Sequence, residues 1–181
     1  CFLLLGKGNS RGSTPYDIES KYDLARHFWK RVQAIKGFGT QQAKSNTVAA
    51  QSVVLKAMAR FVWDCAYGPN TNKNLDYLKK LWKALDDHKI DFSHKNPLWS
   101  ALMLSSDERS KNFPGMEDYV FVPKGANLDA GTIDPDYKWI RFSNKHNDLI
   151  RRIGDLIRFD LNLNPRAEIA KSKKKELNAV L

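Results

Sequence analysis

Cysteine is scarce. Cys1 and Cys65 are the only two in 181 residues. Two thiols so far apart make no disulfide framework, and no Cys-x-x-Cys or Cys/His spacing marks a metal site. Long apolar runs are missing too. They reach only a few residues, as in FLLL at Phe2 to Leu5, far below the roughly 20 that a membrane-spanning helix needs. No membrane partner is therefore expected, and with so little cysteine the default location is the cytoplasm or the nucleus, the cytoplasm being the one expected. Acidic residues are in short supply: 20 Asp and Glu face 30 Lys and Arg, for a net charge of +10. An excess of that size points toward nucleic acid or another polyanion.

The remainder describes a globular chain, 42% hydrophobic and 28% charged, long enough to bury roughly two-thirds of its unfolded surface. It reads as one domain over residues 1–181. The chain opens on Cys1 rather than Met and enters the strand-like run CFLLL at once. That start suggests the C-terminal part of a longer protein, with a first strand that needs a partner elsewhere.

Helical periodicity dominates. Thr14 caps a predicted helix that begins at Pro15, repeats Ile18, Tyr22, Ala25, Trp29 and Val32 at helical spacing with Phe28 and Ile35 alongside, and ends near Gly37. A second helix is predicted from Asn46 to Tyr67, apolar over about half its circumference, with Lys56, Arg60 and Asp64 on its polar edge. A third, from Asn74 to His88, turns Leu75, Leu78, Leu81, Trp82 and Leu85 inward. Pro97 starts a short fourth. Residues 105–140 read as a long irregular loop with two strand-like pieces, DYVFV and YKWIRF. The expected class is mainly α (α+β), a multi-helix domain with a small β element.

Motifs of chemistry are weak. GKGNSRG lacks the spacing of a dinucleotide fingerprint and the Gly-Lys-Ser/Thr of a Walker loop, so it reads as a linker. Asp129, Asp134 and Asp136 lack the glycine and distal glutamate of a calcium loop and read as turn formers. His27, His88 and His94 have no histidine partner one turn away and read as surface or cap residues. No nucleophile elbow is present. No catalytic residue, cofactor or metal is called for.

The densest charge lies in KWIRFSNKHNDLIRRIGDLIRFDLN, residues 138–162. Leu149, Ile150, Ile153, Leu156, Ile157 and Leu161 fill one helical arc there. Arg151, Arg152 and Arg158 fall opposite with Asp148 and Asp155, the pattern of a solvated, charge-laced face worth only about 0.2–0.5 kcal/mol per pair. Arg141, Lys145 and His146 cluster at the helix start, where free N–H groups and the dipole favour an anion. A second cationic cluster, Lys171, Lys173, Lys174 and Lys175 with Arg166, lies in a predicted basic tail over residues 166–181. These are the candidate phosphate contacts.

Three stretches carry a likeness: STPYDIESKYDLARHFWKRV, AAQSVVLKAMARFVWD and WIRFSNKHNDLIRRIGDLIRFDLNLNPR. Together they resemble the C-terminal region of the DndB-like, DGQHR-domain proteins, which are associated with DNA phosphorothioate modification. The likeness spans about residues 13 to 166, and the Asp-Gly-Gln-His-Arg motif that names the family is absent. It implies a DNA-associated, regulatory role in a DNA-modification or phage-defence setting, with DNA as partner. Two other roles are compatible with the residues: an interaction module docking on a missing N-terminal half or a partner protein, and a nucleic-acid-processing enzyme using carboxylates of the 105–140 loop.

Overall fold

A computed structural model describes residues 15–68, 72–120, 129–143, 147–169 and 171. Six α-helices are described: α1 (Pro15–Gln33), α2 (Ala43–Asn46), α3 (Ser52–Tyr67), α4 (Leu75–Asp86), α5 (Ser106–Asn112) and α6 (Asn147–Asp160). Short 3-10 turns run over Val48–Ala50, Pro97–Met103 and Met116–Asp118. Two antiparallel strands, β1 (Gly131–Ile133) and β2 (Ile140–Phe142), form the one sheet among the described residues. The protein is mainly helical with a small β element, as the periodicity predicts.

Helix α3 is the centre. Val54, Met58 and Val62 are fully buried along it, and α6 lies against it with Leu149, Ile153, Leu156 and Ile157 equally buried. The apolar arc of α6 is thus the one its spacing predicts. Helix α4 packs on α3 through Leu78, Leu81 and Leu85, capped by the Asn74 side chain, which accepts the N–H groups of Asp76 and Tyr77. Leu75, expected inward, is 55% exposed. It opens the helix, one turn before the buried stripe begins.

Helix α1 departs further. Its buried line is Phe28, Val32 and Ile35, with Leu24 beside it, while Tyr22 and Trp29 are exposed. Phe28, Val32 and Ile35 all belong to the expected set, and Trp29 packs edge-on against Phe28 from outside. Arg31 then ties α1 to α4: its guanidinium donates to Asp86 at 2.9 Å and lies over the Trp82 ring.

The predicted second helix does not start at Asn46. Thr47 is extended, its hydroxyl accepting the Ala49 N–H and donating to the Phe92 carbonyl. Local bonds of this kind compete with helix. A 3-10 turn follows, and α3 begins only at Ser52.

The expected long loop is partly ordered. Ser105 and Glu108 form a reciprocal capping box on α5. Buried Arg109 donates to the carbonyls of Ala101 and Leu104, satisfying the end of the preceding 3-10 turn. The described part of DYVFV is a 3-10 end rather than a strand, with the Tyr119 hydroxyl donating to the Leu163 carbonyl. The strand within YKWIRF is β2, and its partner is the short GTI at Gly131 to Ile133. CFLLL, the GKGNSRG linker and the Thr14 cap lie outside the described residues.

The charged side of α6 is not the solvated face its spacing suggests. Asp155 is 1% exposed and Arg158 4% exposed. Asp155 receives two hydrogen bonds of 2.7 Å from Arg166, and Arg158 lies over the rings of Phe61 and Tyr77. Arg151 remains outside. The basic tail therefore does not begin at residue 166. Arg166 is part of the body, Glu168 accepts from Asn72, and Ile169 is buried.

Candidate functional site

The β1–β2 hairpin carries exposed Tyr137, Lys138 and Arg141, and its geometry starts from two local constraints. Gly131 takes φ +127° and approaches β2 so closely that a Cβ would collide with the Arg141 carbonyl oxygen. At the other end Asp134 builds the turn: its carboxylate accepts the N–H groups of Asp136 and Tyr137, each at 3.0 Å. The Tyr137 N–H, joined by that of Asp136 and by the charges of Arg141 and Lys138, holds Asp134 below the usual carboxylate value. Asp134 is thus the turn former the sequence predicts. Lys138 closes the turn in the left-handed region, at φ +57°.

The edge of β2 away from β1 is met by side chains. Gln51 donates to the Ile140 carbonyl at 2.7 Å and accepts the Phe142 N–H at 2.8 Å. His94 accepts the Ile140 N–H on Nδ1 at 2.9 Å. That bond requires a lone pair on Nδ1, so Nε2 carries the hydrogen and donates it to the Lys44 carbonyl, 2.8 Å away. His94 is therefore a buried strut between α2 and the hairpin, not the surface or cap residue expected.

This strut fixes the hairpin tip beside an open groove of about 1240 Å³ between the end of α1, α2 and the segment after α4. Buried Ile35, Ile90 and Phe92 make its apolar floor. Lys36, Lys95 and Lys138 stand exposed around it, and Asp91 is its one acidic lining residue. Asp91 is occupied by the N–H and hydroxyl of Ser93. Tyr137, 67% exposed, stacks on Trp139 at 4.7 Å between centroids, and Trp139 in turn tilts over His94.

The candidate phosphate contacts fare unevenly. Arg141 is exposed on β2, with its guanidinium 3.8 Å from Asp134. Lys171 is exposed. Lys145, His146, Lys173, Lys174 and Lys175 lie outside the described residues. The groove lysines and Tyr137 were not singled out from the sequence. The signal available was YKW itself, two aromatics around a lysine between strand and turn. Among the described residues no cluster of His, Cys, Asp or Glu is placed to hold a metal, and no helix is long and apolar enough to cross a membrane. Cys65 is buried, and burial pushes its thiol up to about 11 against a smaller opposing pull from Arg158. It is no nucleophile at neutral pH.

Comparison with protein-family models, curated proteins and solved structures returned no match.

Proposed function

We propose that this chain is a DNA-associated protein of a DNA-modification or phage-defence system, regulatory in role, which holds DNA chiefly through its phosphates. The observation that carries this reading is how the charges are spent. Asp64, Asp86 and Asp155 are each committed to an arginine, and Asp87 to Lys83 and Lys89. Lys36, Lys95, Lys138 and Lys171 are exposed with no ion pair among the described residues. These four lysines are therefore outward and available to an anion. The resemblance to DndB-like, DGQHR-domain proteins supports the setting, and phosphate contacts position a protein without reading sequence.

The test is fluorescence anisotropy on a short labelled duplex at several salt concentrations. Each phosphate neutralised adds about 0.9 to the slope of log K against log salt. Deleting residues 171–181 removes Lys171, Lys173, Lys174 and Lys175, and is expected to lower the slope by about two to three. Absence of binding at low salt would overturn the reading. Exposed Tyr22 and Trp29, seven residues apart on α1, favour a second one in that case: an interaction module that docks on a protein partner.

A further inference from the structure

The geometry points to the groove beside the hairpin tip as a binding site for single-stranded nucleic acid, in which a base stacks on Tyr137 and the backbone runs past Lys36, Lys95 and Lys138. This inference rests on the DNA-associated reading above and names the form of nucleic acid and the place.

Four observations carry it. First, the groove holds about 1240 Å³, more than a small-molecule pocket of about 300–1,000 Å³, so it suits an extended ligand. Second, its lining is net cationic: three exposed lysines face one aspartate. Third, Tyr137 is exposed yet held in place. One face lies on Trp139, interplanar angle 23°, and with 67% of its surface exposed the ring offers the other face to solvent. An aromatic platform next to cations is how proteins hold unpaired strands, because every base has a π-face. Fourth, the platform is rigid at its root. His94 and Gln51 lock β2, and Asp134 locks the turn, so little ordering is left to the binding step. A duplex buries its bases against one another and cannot present one to Tyr137 without opening.

The experiment uses the full chain and three labelled probes in anisotropy titrations: a short oligothymidylate, the same length of abasic strand, and a duplex of the same length. The oligothymidylate is expected to bind more tightly than either of the others. Tyr137→Ala is expected to weaken it by about five- to a hundredfold, the range for losing one stacked base, and to leave abasic binding unchanged. Tyr137→Phe is expected to restore it. Lys36→Gln and Lys95→Gln are each expected to reduce the salt slope by about 0.7. Tyr137 is exposed at a turn, and an unchanged circular dichroism melt confirms that its replacement leaves the fold intact. Equal affinity for thymidylate and abasic strand, or indifference to Tyr137→Ala, overturns the stacking site while leaving phosphate binding standing. Failure of all three probes to bind at low salt overturns both the site and the reading beneath it.

Discussion

The carboxylate of Asp155 on α6 and the guanidinium of Arg166 meet in a two-pronged ion pair, both hydrogen bonds 2.7 Å long, at a point that water scarcely reaches. Burial pushes the Asp155 carboxyl up, and Arg166 opposes that by supplying two N–H donors. Buried pairs of this kind depend on both members. Arg166→Ala is expected to cost about 3–5 kcal/mol in urea unfolding, because it strands a buried charge. The double change Asp155→Leu with Arg166→Met is expected to recover most of that. A double variant as unstable as the single would show that the arginine acts through packing alone.

Gly154 lies one residue before that aspartate, buried inside α6. A Cβ there would meet only the Ala57 carbonyl oxygen, at 4.0 Å, an ordinary contact. Gly154→Ala is therefore expected to stabilise the protein by about 0.5–1 kcal/mol through helix propensity and a less flexible unfolded chain. A rise in the thermal midpoint checks it, and a fall would mean that α3 and α6 sit closer than the geometry allows.

Cys65 offers a pH signature. Its folded thiol is raised from an ordinary value of 9.0 to about 11, so the folded state holds the proton more tightly than the unfolded one. The group is silent below pH 9. As pH climbs from about 9 to about 11, it removes stability at up to about 1.4 kcal/mol per unit. Unfolding curves of the parent and of Cys65→Ala are expected to diverge across that window, the variant lacking this part of the slope. A thiol-reactive dye at neutral pH is expected to label Cys65 only at the rate of unfolding.

Gln51→Ala is expected to cost about 1–3 kcal/mol locally, since it leaves the Ile140 carbonyl and the Phe142 N–H without their partner. Hydrogen exchange reads it out at one amide. Exchange at Phe142 should quicken, while the Arg141 N–H, which faces β1, should change less. Equal acceleration along the whole of α3 would point instead to global destabilisation.

The helices were legible because each carries its own apolar period. Leu149, Ile153, Leu156 and Ile157 repeat at helical spacing whatever they pack against. Charge was less legible. Asp155 and Arg158 stand at the spacing of a surface pair, and only the rings of Phe61 and Tyr77 and the distant Arg166 reveal that they are inside. The hairpin was half visible: YKWIRF alternates, but Gly131 to Ile133 is too short to carry a period. The groove was not visible at all. Its lining comes from segments as far apart as Lys36, Lys95 and Lys138, and no local pattern encodes their meeting.

A two-stranded hairpin of this size does not hold in water by itself. Its stays come from Gln51 and His94, which are 89 and 46 residues from Ile140 along the chain. Both stays are themselves held by the helical body, Gln51 as the residue before α3 and His94 through the Lys44 carbonyl of α2. The hairpin therefore keeps its shape only while that body holds these two side chains in place. Whatever Tyr137 and Lys138 do, they do only in chains whose helical body is complete, and a partly folded molecule has no turn to offer.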